Sequence, residues 1–211
     1  MGTIDERVDA PSARRTARKI GMGKKDPESG PVGAQVAKRL FELRTVLIHG
    51  EVTSRMARDV TAQLLALAGD SDDDITVYIH SEGGHLEAGD SIHDMISYVK
   101  PRIRMIGTGW VASAAVHIYL AVPKQDRYSL PNTRFLIHQP MGGAGGAATD
   151  IQIEAEEILK ARDRLNRLIA DKTGQPLERV ANDTDRNHWM SPEEARNYGI
   201  VGRIISSIAE L

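Results

Sequence analysis

Two side chains of this sequence stand where a nucleophile and its base would be useful. Ser113 follows Gly109-Trp110-Val111-Ala112 and precedes Ala114-Ala115, so an apolar run from Ile103 to Gly109 breaks at glycine and small residues lead into a helical pattern. That order predicts Ser113 at a helix N-terminus. Unpaired N–H groups and the positive end of the helix dipole gather there and favour both a deprotonated hydroxyl and a nearby oxyanion. His138 closes the short apolar strand pattern Phe135-Leu136-Ile137 just before Gln139-Pro140, a position from which a base can reach outward. Each residue also has an ordinary reading, as a helix cap and as a strand-end histidine. No Gly-x-Ser-x-Gly elbow accompanies them.

A glycine pair, Gly83-Gly84, is the third candidate. Glycines let the chain bend sharply and bring a bare N–H close to a ligand, which suits an oxyanion donor, a phosphate cradle or a plain strand-to-helix turn. Neither this pair nor Gly142-Gly143-Ala144-Gly145-Gly146 is followed by Lys-Ser/Thr, and no Gly-x-Gly-x-x-Gly follows a first strand, which argues against nucleotide binding. The seven histidines include no i, i+4 pair and no His-Glu-x-x-His, so no metal is expected.

The elements that position these residues alternate strand and helix. Val36, Leu40 and Leu43 suggest a short opening helix, Thr45–His49 a strand, and Arg55–Ala68 a helix with Met56, Val60, Leu64 and Leu67 on one face. A second strand, Ile75–His80, runs into Ser81-Glu82-Gly83-Gly84 and a helix presenting Leu86, Ile92, Met95, Ile96 and Val99 before Pro101. The strand from Ile103, the helix after Ser113, short strands near Tyr119–Val122 and Arg134–His138, and a long helix follow. This is an α/β layered domain.

At 211 residues the chain suits one domain with a real core. The absence of cysteine excludes disulfides, thiolate metal sites and a cysteine nucleophile, and suits a reducing cytoplasm. A formal charge of −2 and 4% aromatic residues give no reason to expect nucleic acid. No run of about 18 apolar residues predicts a membrane span, and the first residues lack a signal peptide's apolar centre. Residues 1–33, rich in Arg, Lys, Gly and Pro, read as a flexible extension before the domain at 34–211.

Together these segments resemble the proteolytic subunit of the Clp protease (ClpP) from about Arg44 to Ser206. The matching stretches include Tyr78-Ile79-His80-Ser81-Glu82-Gly83-Gly84, Gly109 to Ala115, Leu130 to Pro140, Ala148-Thr149-Asp150-Ile151 and Ser191-Pro192-Glu193-Glu194-Ala195, in the family's order and without insertions. The resemblance implies a ClpP/crotonase-like layered fold of repeated ββα units, and a Ser-His-acid endopeptidase without a cofactor. It implies heptameric rings stacked into a tetradecamer around a chamber, and a Clp-family AAA+ unfoldase that delivers unfolded polypeptides. Ser113 would be the nucleophile, His138 the base, and the N–H groups of Gly84 and Ala114 the oxyanion hole. Residues 139–172 look like the family's handle, a strand and a helix that join the rings. Tyr78 and Tyr98 match aromatic positions of the docking pocket for the unfoldase.

The departures are as informative. The third triad position, usually aspartate, falls on Asn187, which can orient an imidazole but carries no charge to stabilise an imidazolium. Weak or conditional activity follows, with Asp183 or Asp185 as nearby sources of charge. Glu82 stands in place of the usual proline, Ala114 in place of methionine, and Trp110-Val111 in place of smaller residues. Such a divergent member fits a mixed ring with another ClpP-like subunit. The alternatives are an inactive structural or regulatory ring subunit and, more remotely, an acyl-CoA enzyme of the crotonase superfamily.

Overall fold

The computed structural model describes residues 31–211. Strand β2, Ile75–Ser81, shows why a layered fold results: burial alternates along it, with Ile75, Val77, Ile79 and Ser81 turned into the core and Thr76, Tyr78 and His80 half-buried on the other face. Strand β1, Thr45–His49, lies parallel to β2 on one side and β3, Ile103–Ala112, lies parallel on the other. Strands β4, Arg127–Ser129, and β7, Arg203–Ile204, complete the parallel order β1-β2-β3-β4-β7.

Parallel neighbours need crossovers, which helices α2, Ser54–Asp70, and α3, Leu86–Tyr98, supply. Thr53 caps α2 by accepting from the Met56 N–H, and Ala57, Val60, Leu64 and Leu67 bury its inner stripe. Val60, Leu64 and Leu67 are each worth about 1.5–3 kcal/mol when buried in this way. Helix α1 runs from Pro31 to Glu42, so it opens inside the segment read from sequence as the extension. Its Val36 and the following Leu43 are exposed rather than packed. Residues 1–30 of the expected extension lie outside the described residues. Among the described residues no helix is long and apolar enough to cross a membrane.

Strand β3 changes partners along its length. Met105–Gly107 pair with β4, whereas Trp110–Ala112 pair with β5, Arg134–Ile137. Between the two stretches β2 advances only from Ile79 to Ser81 while β3 advances from Gly107 to Val111, so β3 bulges, with Gly109 at φ 58. Helix α4, Ala114–Tyr119, follows directly. The strand expected near Tyr119–Val122 does not form: Tyr119 ends α4, and the strand comes after a 3₁₀ turn at Lys124–Asp126. Residues 114–122 are buried throughout, and a continuous apolar run does not distinguish a buried helix from a strand.

Strand β6, His188–Met190, is antiparallel to β5, with Phe135 opposite Met190 and Ile137 opposite His188. Helix α5, Ala148–Thr173, is exposed from Ala148 to Glu157 and buries only Asn166 and Ile169. Its C-terminal end is held by Arg127, whose buried guanidinium donates to the carbonyls of Lys172 (2.8 Å), Gly199 (3.2 Å) and Ile200 (3.1 Å). Residues 138–147, where the handle strand is expected, form no strand in the single chain. A strand needs an edge to pair with, and the glycines at 142, 143, 145 and 146 weaken it further. Helices α6, Leu177–Asp183, and α7, Pro192–Tyr198, close the core.

Candidate active site

Ser113 sits at the junction of β3 and α4 with φ 56 and ψ −123; among the described residues only it and Arg44 combine a side chain with positive φ. Such a backbone costs of order 1–3 kcal/mol and persists only where its surroundings enforce it. Here they do. The Ser113 N–H donates to the Leu136 carbonyl (2.9 Å) and its carbonyl accepts from Val116 (3.0 Å). The backbone of Gly83 presses on the other side: a Cβ there would lie 2.6 Å from Ser113 Cβ and 2.7 Å from the Ala112 carbonyl oxygen. The Ser113 side chain makes no cap hydrogen bond, so the hydroxyl is not spent on the helix as an ordinary N-cap's would be.

The Gly83-Gly84 turn is tied down by its neighbours. Val52 donates to Gly83 O (2.7 Å), His85 donates to Val52 O (2.9 Å), and the Gly83 N–H donates to Ser81 Oγ (3.1 Å). That leaves the N–H of Gly84 without a protein acceptor among the described residues, like the N–H of Ala114 in the first turn of α4. Gly84, Ala114, Ser113 and His138 line one cleft of about 760 Å³ between the sheet and α5. Two free donors beside a strained serine suit an anion that develops on an attacked carbonyl.

His138 follows β5. The next residue, Gln139, donates its N–H to Thr184 O (2.6 Å) and its side-chain amide to Asp185 O (2.8 Å). With Ile137 opposite His188, the antiparallel register sets His138 against Asn187 just beyond the paired residues. The backbone thus brings together the histidine and the asparagine named from sequence, but their side chains are not engaged. Neither the His138 ring nor the exposed Asn187 amide makes a hydrogen bond among the described residues, and none joins Ser113 to His138. Burial alone pulls the His138 pKa below its usual 6.5, with no carboxylate acting on it. The shift favours the neutral imidazole, the form a base needs. Asp183 and Asp185 do not supply the missing charge: Asp183 accepts from Tyr198 and faces Arg179, and Asp185 faces Arg162 and Arg186.

The cleft also holds a charged cluster that sequence reading passed over. Asp90 on α3 takes a bidentate bond from Arg164 of α5 (2.9 and 2.6 Å), and its Oδ1 is 2.8 Å from His117 Nε2, off the line of a hydrogen bond. The buried His117 ring stacks on His93 at 4.5 Å. Burial, followed by the facing His93, pushes the His117 pKa down to about 4 against the pull of Asp90, whose two oxygens Arg164 already occupies. The available signal was spacing: His117 is four residues after Ser113 and so shares a helix face with the start of α4. The two tyrosines named for docking differ in setting. Tyr78 packs with Leu130 and Leu211 against Ile106, Tyr128 and Ile205, whereas Tyr98 at the end of α3 is 80% exposed.

Comparison with known proteins gives one answer. Residues 28–208 match the Clp protease family. The chain is 53% identical to the ATP-dependent Clp protease proteolytic subunit 3 of Rhizobium etli over 86% of its own length and 93% of that protein. It is 59% identical to proteolytic subunit 2 of Gluconobacter oxydans, over 84% and 81% respectively. Among solved structures, ClpP1 from Listeria monocytogenes aligns at 52% identity with TM-score 0.76, covering 83% of this chain and 99% of that one. An asparagine-to-aspartate mutant of the same protein aligns with TM-score 0.78, covering 82% and 98%.

Proposed function

The chain belongs to the Clp protease family as a serine-type endopeptidase subunit, and from that premise we propose that Ser113, His138 and Asn187 are its catalytic residues, with Gly84 and Ala114 as the oxyanion hole. Ser113 Oγ attacks the scissile carbonyl while the neutral His138 ring takes its proton. The oxyanion collects between the Gly84 and Ala114 N–H groups. His138 then returns the proton to the leaving amine, and water repeats the sequence on the acyl-enzyme. Asn187 orients the imidazole through its carbonyl oxygen. It adds no charge to the imidazolium, so turnover is slower than a carboxylate would allow. The observation that carries this reading is the strained Ser113 corner, held by Gly83 and flanked by two unpaired N–H groups in the cleft that also contains His138.

The family implies a Clp protease complex with ring oligomers and an ATPase partner. In our reading the domain is 34–211, with residues 139–172 as the handle between rings. A Clp-family AAA+ unfoldase docks near Tyr78 and Tyr98, the ring accommodates a second ClpP-like subunit, and the assembly works in the cytoplasm. The relatives are named as proteolytic subunits, which favours neither an inactive ring subunit nor an acyl-CoA enzyme.

Fluorophosphonate labelling of the purified full-length chain, located by mass spectrometry with Ser113→Ala as control, tests the assignment. One adduct per chain on Ser113 is expected. Absence of an adduct, both alone and with a paralogous subunit added, overturns it.

A further inference from the structure

We propose that His80 is a positioning residue for the peptidase reaction, holding the β3 bulge in the shape that delivers Ser113 to the cleft; the proposal rests on the reading of Ser113 as the nucleophile. The bulge is where β3 loses its ladder to β2, between Gly107 opposite Ile79 and Val111 opposite Ser81. Backbone N–H groups at such a place have no strand partner and must find another acceptor. For Trp110 that acceptor is a side chain: its N–H donates to His80 Nδ1 at 3.1 Å. The same nitrogen lies 3.2 Å from the Thr108 carbonyl oxygen, so the bulge wraps around one atom of one ring. Accepting from Trp110 requires an unprotonated Nδ1, so in that tautomer the Thr108 oxygen is a close neighbour of the ring and not a hydrogen-bond partner. Gly109 completes the wrap: a Cβ there would lie 2.2 Å from His80 Nδ1, and its φ of 58 suits a residue without a side chain. The His49 ring packs on His80 from β1, with centroids 5.2 Å apart.

What the bulge sets is the start of the second half of β3. From Trp110 the strand pairs with β5, opposite Arg134, and three residues later the Ser113 N–H reaches Leu136. No residue between Trp110 and Ser113 is free to absorb a change of register. The Trp110 indole also meets Trp189 edge-on at 5.7 Å, two residues beyond Asn187. The hydrogen bond at His80 therefore bears directly on the strand that delivers Ser113 and, through the indole, touches β6 beside Asn187. Catalytic groups tolerate little displacement, since a shift of about 1 Å costs about a hundred-fold in rate.

The test compares three substitutions in the full-length chain, read by the rate of fluorophosphonate labelling at Ser113, by kcat and KM for a fluorogenic peptide, and by Tm. His80→Asn places an amide oxygen where Nδ1 stands and keeps the acceptor. His80→Leu removes it, and His80→Gln moves it one carbon further out. Labelling and kcat should fall about ten-fold in His80→Leu with KM within about two-fold, recover in His80→Asn, and lie between in His80→Gln. Should His80→Leu fail to fold, the contrast between Asn and Gln decides. Equal rates in all folded variants, or an Asn variant as slow as the most impaired one, overturn the proposal while leaving Ser113 in place. An unlabelled wild-type protein overturns the nucleophile reading and this proposal with it.

Discussion

The two halves of the site are built to different standards. On the Ser113 side the geometry is fixed: a strained φ, a Gly83 so close that a Cβ on it would lie 2.6 Å from Ser113 Cβ, and two N–H groups unpaired among the described residues. On the His138 side the backbone is placed by the β5–β6 register and by Gln139, yet among the described residues neither the imidazole nor the amide of Asn187 has a hydrogen bond, and burial alone acts on the imidazole. The oxyanion and nucleophile geometry is thus intrinsic to one chain. The base geometry depends on side-chain rotations that cost little, beside a segment without fixed secondary structure.

Substitutions can break this contrast or sharpen it. Ser113→Ala should remove peptide hydrolysis, with kcat falling on the order of 10⁶ and labelling lost altogether. Gly83→Ala should cost about 10² or more in kcat, because its Cβ meets the Ser113 Cβ and the Ala112 carbonyl rather than a flexible side chain. Gly143→Ala, in the segment after His138 and with nothing within 4 Å, should change kcat less than about two-fold. Equal losses in these two glycine variants would mean that the halves are not differently constrained.

Asn187→Asp should act on the weaker half alone. The carboxylate stabilises the imidazolium, so kcat/KM should rise about ten-fold, below the ceiling of about 10⁴ known for such exchanges in serine proteases. It should also raise the His138 pKa. The acidic limb of the kcat/KM profile, which burial now holds below pH 6.5, should then move to higher pH. A variant with unchanged rate and profile would show that the amide and the imidazole do not meet in the working enzyme.

The smallest effect concerns stability beneath the Ser113 corner. Folded His117 refuses a proton down to about pH 4, whereas the unfolded chain accepts one near 6.5. Its contribution is therefore complete above pH 6.5 and is lost as pH falls toward 4, at up to ~1.4 kcal/mol per pH unit. Denaturant unfolding across that window should show the slope, and His117→Phe should flatten it.

Much of this arrangement was legible in the sequence, and the reason is locality. The break from an apolar run into small residues placed Ser113 at the start of a helix, and Phe135-Leu136-Ile137 placed His138 at the end of a strand. What escaped was non-local. β6 is three residues long and pairs across some fifty positions, so the facing of His138 and Asn187 was reached only through family resemblance. The β3 bulge leaves no pattern beyond one glycine, so His80 read simply as a strand residue. The strained φ of Ser113 is likewise enforced by Gly83, thirty residues away. The strand expected at Tyr119–Val122 failed for the opposite reason, since uniform burial erases the periodicity on which such readings rest.

Helix α5 is, mechanically, a cantilever. Its root is clamped by the Arg127 guanidinium on the Lys172 carbonyl, by the Asp90–Arg164 pair and by Arg162 facing Asp185, while the exposed stretch from Ala148 to Glu157 projects about 15 Å at 1.5 Å per residue. A rod held in this way pivots at its clamp and moves most at its tip. That tip is where the polypeptide arrives from His138 through residues 139–147, which form no strand. A displacement of the overhang would thus reach the chain that leaves His138 before it reached Ser113, whose backbone is held by Leu136 and Gly83.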